Sequence, residues 1–157
     1  MIHGYDVNGR TSLPVTLHSH KPIDLVILQL GVNDMQQIFN ARPKDIARGL
    51  GVLLQDIKVS SVGPANVDPD VLVLSPPFCR ETATSLEWGY SGCERKSLET
   101  TQEFKLMVDQ YPGVYFLDIT SICKTGTDGI HLDPIANVAL GQKIAAQCRT
   151  IFDSTVC

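Results

Sequence analysis

Apolar residues along the chain form short continuous runs that alternate with stripes at helical spacing. The runs IDLVILQLG and VLVLSPP are almost entirely apolar up to their last residues, as expected of strands covered on both faces in a parallel sheet. The second strand is predicted over Val71 to Ser75 and ends at two prolines, which cannot donate to a strand ladder. A third strand is predicted in VYFLDI, after Pro112 and Gly113.

Helices are predicted between and after these strands. The first begins near Pro43, where apolar residues recur at helical spacing. A second is predicted from Glu94 to Gln110, and a closing helix from Ile135 to Phe152, with Asp133 as its N-cap and Pro134 at its first position. The apolar stripe of the first helix consists of Ile46, Leu50, Leu53, Leu54 and Ile57.

Polar residues follow the end of each predicted strand. Asn33 and Asp34 follow the first, Ser75 ends the second, and Asp128 and His131 lie in the loop after the third. Strands that alternate with helices indicate an α/β fold with a parallel sheet, in which ligands bind beyond the carboxyl ends of the strands. We therefore expect these residues to share one crevice.

The segment TDGIHLDP, Thr127 to Pro134, could form an acid–histidine pair, because Asp128 precedes His131 by three positions. An aspartate that accepts the Nδ1 proton of a histidine fixes its tautomer and leaves the other nitrogen free to take a proton from a nucleophile. The same residues also suit a local turn in which Asp128 caps the backbone through Gly129 and His131 is half-buried. The motif alone leaves both interpretations open.

Composition narrows the classes of partner. The chain of 157 residues fits a single domain, 1–157. Its net charge is −4, and its sequence contains no run of lysines or arginines. Nucleic acid and anionic membranes are therefore unfavourable partners, and a small molecule fits better. No apolar run is long enough to span a bilayer, and the first residues contain no apolar signal core. We expect a cytoplasmic protein, with a signal peptide upstream of the present start left open.

The five cysteines are odd in number and have no CxxC spacing, so neither a disulfide framework nor a zinc site is indicated. Cys79 and Cys93 lie within a polar stretch from Phe78 to Cys93 that is predicted to be a loop, and they could pair in an oxidising compartment. No glycine-rich phosphate loop opens a helix, which argues against a nucleotide-binding flavodoxin-like module. We expect no cofactor and no metal.

Three short blocks carry a family resemblance: NGR near the start, GVND after the first strand, and DGIHLDP before the closing helix. In order and spacing they resemble blocks of the SGNH, or GDSL, hydrolases. The longer segments PIDLVILQLGVNDM, VLVLSPP and DGIHLDPIANVALGQKIA resemble the arylesterase and acyltransferase branch, so the resemblance covers nearly the whole chain. It implies a flavodoxin-like three-layer α/β/α fold and a Ser-His-Asp esterase or acyltransferase that acts on short acyl esters through an acyl-enzyme.

The resemblance also implies roles for single residues. His131 would be the general base and Asp128 its orienting acid, while the backbone N–H of Gly9 and the side-chain amide of Asn33 would form the oxyanion hole. Such donors stabilise charge that develops in the transition state. Asp34 would hold its loop rather than take part in the chemistry. Judged singly, Gly9 also suits a turn, and Asn33 an Asx turn after a strand.

The nucleophile is the part that the resemblance does not supply. The family's serine lies in a GDS motif ahead of the NGR-like block, and no GDS occurs in the chain. The segment MIHGYDV resembles the family's second strand, so the first strand and first helix are expected to be missing and the domain N-terminally incomplete. Ser154 in IFDSTVC would need a circular permutation and has neither the glycine nor the strand. Ser75, Ser12 and Cys123 are no better, and the nucleophile stays unknown.

Two functional hypotheses follow. The first is an SGNH-type esterase or acyltransferase, weak or inactive as this chain alone, with a small-molecule ester as substrate. The second is a catalytically inactive SGNH-fold remnant or small-ligand binding protein. An in-frame GDS upstream would decide between them. Without the first strand the apolar segment Leu25 to Leu30 would lose a neighbour in the sheet. We expect either MIHGYDV to close the gap beside it or its edge to pair with another chain, and from the second outcome we expect a homo-oligomer.

Overall fold

The computed structural model describes residues 8–155 of the chain. Within them, five helices and three strands alternate, and short 3₁₀ turns occur at Asn33–Met35, Gln37–Phe39 and Pro64–Asn66. The principal elements are α1 (Gly9–His20), β1 (Leu25–Leu28), α2 (Pro43–Lys58), β2 (Asp70–Leu74), α3 (Ala83–Glu87), α4 (Cys93–Val108), β3 (Val114–Leu117) and α5 (Pro134–Thr155).

The strands form one parallel sheet in the order β1-β2-β3, which confirms the predicted α/β class. Alternate residues of the central strand β2 point to opposite faces, as the period of a strand requires. Val71 and Val73 join a core with residues of α2 and α4, whereas Leu72 and Leu74 join a second core under α5. Helices therefore cover both faces of the sheet, giving three layers. Since β1 pairs only with β2 among the described strands, it lies at the edge of the described sheet.

Two helices begin where their capping residues predict. Pro43 occupies the first turn of α2, and the carboxylate of Asp45 in that turn accepts a hydrogen bond from the N–H of the N-cap residue Arg42 at 3.3 Å. The apolar stripe of α2 is largely buried, as its spacing predicts. At the start of α5 the carboxylate of Asp133 accepts a hydrogen bond from the N–H of Ala136 at 2.6 Å, so the predicted N-cap is confirmed.

Three parts of the chain differ from the prediction. The polar stretch predicted as a loop contains α3, which Thr82 begins by accepting a hydrogen bond from the N–H of Ser85. Ser154 lies inside α5 and not after it. Helix α1 was not predicted, because it buries only Leu17 and contains Pro14, and so shows no apolar stripe.

The segment predicted as a strand, MIHGYDV, lies outside the described residues. None of the described helices is both long enough and apolar enough to cross a membrane.

Candidate active site

Asp128 and His131 lie side by side in the loop between β3 and α5. One carboxylate oxygen of Asp128 is 2.8 Å from Nδ1 of His131, and the other accepts hydrogen bonds from the N–H groups of Ile130 at 2.8 Å and His131 at 2.9 Å. The predicted contact between the two side chains is therefore present. The same carboxylate also caps the local turn, as the alternative interpretation predicts, but the His131 side chain is exposed and not half-buried.

These contacts also set the charge of Asp128. Burial alone would raise the pKa of its carboxyl, but the N–H groups of Ile130 and His131 and the imidazole together outweigh burial and hold that pKa below its ordinary value. The carboxyl is therefore ionised near neutral pH. An ionised carboxylate at Nδ1 favours the tautomer with the proton on Nδ1, which leaves Nε2 as the basic nitrogen.

Backbone pairing shapes the loop that carries this pair, residues 125–132, which we call the dyad loop. Thr125 and Leu132 pair as an antiparallel bridge at its base, and the N–H of Gly126 donates to the carbonyl of His131 at 2.7 Å. Gly129 has φ +80°, a region that favours glycine, and a Cβ there would lie 2.2 Å from the carbonyl oxygen of Arg80. Glycine at this position therefore allows the dyad loop to pack against the loop after β2.

Residues of the loop after β2 donate hydrogen bonds to the backbone of the dyad loop. The N–H of Arg80 donates to the carbonyl of Gly129 at 2.8 Å, and the hydroxyl of Thr82 donates to the carbonyl of Asp128 at 2.9 Å. The Trp88 ring meets the His131 ring edge-on, with ring centroids 6.0 Å apart. The His131 side chain remains 74% exposed, beside an open depression that Arg80 and Leu132 help to line.

Asn33 opens the 3₁₀ turn after β1 and is exposed, and its side chain has a defined orientation. The hydroxyl of Tyr90 donates to Asn33 Oδ1 at 2.9 Å, and burial raises the pKa of that hydroxyl, which keeps it protonated. This bond directs Oδ1 towards Tyr90, so the donor group Nδ2 points away from that hydroxyl. Since Tyr90 and Trp88 belong to the same short segment, one loop contacts both Asn33 and His131.

Gly9 is the first residue of α1, where backbone N–H groups have no partner within the helix. A Cβ on Gly9 would lie 3.0 Å from Cδ1 of Leu30, so the start of α1 packs against the end of the first apolar run. Gly9 and Asn33 thus both adjoin the carboxyl end of β1. The predicted role of Asp34, holding this loop, stays a prediction.

The four candidate nucleophiles are engaged elsewhere. Ser75 is fully buried, donates to Asp118 and accepts from the N–H of Ile119, while Cys123 is 1% exposed. The hydroxyls of Ser12 and Ser154 donate to backbone carbonyls of their own helices. Within residues 8–155, no serine or cysteine side chain hydrogen-bonds to His131.

The other cysteines within residues 8–155 give no sign of a metal site or a disulfide. Cys79 and Cys93 are free and buried in the structure, and burial raises the pKa of the Cys79 thiol to about 12. In the part of the chain that is described, no group of three or more His, Cys, Asp or Glu side chains could hold a metal ion.

Sequence reasoning left four contributors to this site without a role: Arg80, Thr82, Trp88 and Tyr90. They lie in or next to α3, in the stretch predicted as a loop. The sequence contained one usable signal, a threonine followed three residues later by a serine, which suits a helix start. Nothing in the spacing of the chain indicated that these side chains would reach Asn33, His131 or the dyad loop.

Comparison with known proteins places this geometry in a family. No protein-family model matches the chain, and a comparison with curated proteins found no match either. Among solved structures the chain is similar to Est24, a carbohydrate acetylesterase from Sinorhizobium meliloti, with 34% sequence identity and a TM-score of 0.84 over 96% of this chain and 72% of that one.

Two further structures agree. The aryl esterase of M. smegmatis shares 34% identity at a TM-score of 0.81, over 91% of this chain and 68% of that one. Another carbohydrate acetylesterase family member from Sinorhizobium meliloti shares 28% identity at a TM-score of 0.85, over 96% and 71% of the two chains. The chain therefore belongs to the SGNH, or GDSL, hydrolase family, in the branch of aryl esterases and carbohydrate acetylesterases.

Proposed function

We propose that this chain carries the base and the oxyanion donors of an SGNH-type carboxylic ester hydrolase or acyltransferase acting on short acyl esters. In this proposal His131 takes the proton from a nucleophile through Nε2, and Asp128 orients its ring and stabilises the imidazolium. The amide of Asn33 and the N–H of Gly9 donate to the oxyanion that forms in the tetrahedral transition state. The chain acts as one SGNH-type domain.

The observation that carries the proposal is the contact between Asp128 and Nδ1 of His131 at 2.8 Å. Among the described residues no group hydrogen-bonds to Nε2, and the ring faces the open depression. A histidine held at one nitrogen and open at the other suits a general base better than a structural role.

The fixed orientation of Asn33 supports the second part of the proposal. A side-chain amide can rotate freely when exposed, and an oxyanion donor must be oriented before charge develops. Tyr90 supplies that orientation from a buried position, 2% exposed. Removing one oxyanion donor of this kind costs roughly 3 kcal/mol of transition-state stabilisation in a working esterase.

Small neutral esters are the substrate class that we propose. The similar structures are of a carbohydrate acetylesterase and an aryl esterase, which suggests a short acyl group on a sugar or phenol. An uncharged ester also suits this site because the Trp88 ring, which contacts His131, is 44% exposed and offers an apolar surface.

A second function, small-ligand binding without catalysis, is favoured by one observation. None of the candidate nucleophiles within residues 8–155 contacts His131. Without a nucleophile the same crevice could still bind an ester or its alcohol.

Hydrolysis of p-nitrophenyl acetate separates the two functions. We expect the chain as given to release little p-nitrophenol, and Ser154→Ala and Ser75→Ala to leave that rate unchanged. Preceding the chain with a GDS-bearing strand, loop and helix from a family member should restore turnover that depends on His131. A folded fusion that binds the ester without turnover would favour the binding protein. Robust turnover by the unmodified chain, lost on changing one of the two serines, would instead identify that serine as the nucleophile.

A further inference from the structure

Arg80 contacts the dyad loop through its guanidinium as well as its backbone. Nε donates to the hydroxyl of Thr125 at 3.2 Å, and Nη2 donates to the carbonyls of Thr125 at 2.9 Å and Gly126 at 2.6 Å. The planar guanidinium holds these donors in a rigid fork, so three bonds fix both the distance and the angle of the segment that accepts them. The guanidinium forms no hydrogen bond with Asp128 or His131, and its acceptors belong to the two residues Thr125 and Gly126 that precede them in the dyad loop.

All three acceptors are neutral. In the part of the chain that is described, no carboxylate forms an ion pair with Arg80, in contrast to the exposed pairs that Arg10, Arg42, Arg48 and Arg95 form. Here the guanidinium instead binds backbone oxygens of one irregular loop, where a charged donor forms stronger hydrogen bonds than a neutral one.

Gly126 links this contact to both members of the pair. Its carbonyl accepts from Arg80 and also from the N–H of Gly129 at 3.1 Å, which closes the turn that contains Asp128. Its own N–H donates to the carbonyl of His131 at 2.7 Å. A shift of Gly126 would therefore move the backbone on both sides of the contact between Asp128 and His131.

We propose that Arg80 is a positioning residue, whose guanidinium holds Thr125 and Gly126 so that the Asp128 carboxylate faces Nδ1 of His131. This inference rests on the proposed function, in which that contact orients the base. Arg80 does not touch the reacting atoms, and its effect passes through the loop backbone. Loss of the guanidinium lets the dyad loop open while the sheet and its two cores stay folded.

The test compares Arg80→Ala and Arg80→Lys with Arg95→Ala in the full chain. Arg95 is a matched control, because it is an exposed arginine on α4 whose ion pair is with Glu99 of the same helix. Two measurements report on the loop: the carbon-13 NMR titration of the Asp128 carboxyl, and hydrogen exchange at the amides of Ile130 and His131, which donate to that carboxyl.

In Arg80→Ala we expect the pKa of the Asp128 carboxyl to rise towards its ordinary value, because the N–H groups that lower it separate from it. Exchange of the two amides should accelerate by roughly tenfold, the change expected when a local structure loses a strong hydrogen bond. Arg80→Lys keeps the charge but not the fork, so its Asp128 pKa and amide exchange rates should lie between those of Arg80→Ala and the unmodified chain. Arg95→Ala should match the unmodified chain in both measurements.

An unchanged Asp128 titration and unchanged amide exchange in folded Arg80→Ala would overturn the inference, as would a loss of global stability without either local change. If Arg80→Ala fails to fold, Thr125→Val removes one acceptor of the fork and should give a smaller shift in the same direction. Neither readout needs ester turnover. Absence of His131-dependent turnover in the chain preceded by a GDS segment would therefore count against the proposed function alone, and a negative result here would count against the positioning role alone.

Discussion

Replacing Asp128 by asparagine should destabilise the fold near neutral pH, and the effect should fade in acid. The carboxylate accepts from two backbone N–H groups, of Ile130 and His131, and from the imidazole, all within 2.9 Å. A hydrogen bond to a charged group contributes about 1.5–3 kcal/mol and one between neutral groups about 0.5–1.5 kcal/mol, so an amide oxygen in place of the carboxylate costs about 1 kcal/mol for each backbone bond. The imidazole bond adds little to folding, because the His131 side chain is 74% exposed.

The expected loss for Asp128→Asn is therefore about 2 kcal/mol in the free energy of unfolding near neutral pH. The pKa of Asp128 is lowered in the folded chain, so its contribution is complete above the unfolded pKa of about 3.9 and is lost as pH falls through the folded pKa. Asparagine does not titrate. The difference between the two proteins should be constant down to about pH 5 and shrink below about pH 4.

Urea unfolding followed by far-UV circular dichroism, repeated at several pH values, measures this difference. Asp109→Asn is the control, because Asp109 is an exposed carboxylate at the end of α4 whose partner is Lys105, and an exposed ion pair contributes little. A difference for Asp128→Asn that stays the same from neutral pH to below pH 4, or that is absent near neutral pH, would refute the reasoning.

Three further predictions concern the same rim and the edge of the sheet. Gly129→Ala should destabilise the chain more than Gly89→Ala in urea unfolding, because both residues have positive φ but only a Cβ on Gly129 would collide with a backbone carbonyl. Tyr90→Phe should change the side-chain NH₂ signals of Asn33 in NMR spectra and cost about 1 kcal/mol, while the control Tyr111→Phe, which loses a bond to a backbone carbonyl, should leave those signals unchanged. Light scattering after size exclusion should detect a dimer or larger assembly, because β1 lies at the edge of the described sheet, and a monodisperse monomer would contradict this.

The three strands and the three long helices, α2, α4 and α5, could be predicted from sequence because their apolar residues form simple patterns. β2 is apolar from Val71 to Leu74, and these residues are all buried. The stripe of α2 follows the helical period for the same reason. Helix α1 leaves no such pattern, since it contacts the rest of the chain mainly through α2 and buries one side chain, Leu17.

The predicted site depended on chain order and on short motifs, and these specify only local contacts. Asp128 and His131 are three residues apart, so their contact follows from one turn of backbone. Asn33 and Tyr90 are 57 residues apart, and Arg80 and Thr125 are 45 apart. No local pattern encodes such pairs, because they depend on how segments distant in sequence pack against each other. The sequence therefore indicated the candidate site residues but not the residues that hold them in place.

The central claim, that His131 is the general base of an ester hydrolase, is tested most directly by kcat/KM for p-nitrophenyl acetate. The protein to measure is the chain preceded by a family GDS segment, compared with the same protein carrying His131→Gln. A positioned general base contributes about 10²–10⁴-fold, so we predict that His131→Gln lowers kcat/KM by at least about 100-fold while the fold is retained. The control His18→Gln, in the last turn of α1, should leave kcat/KM unchanged. Turnover that survives His131→Gln within a few-fold would contradict the claim.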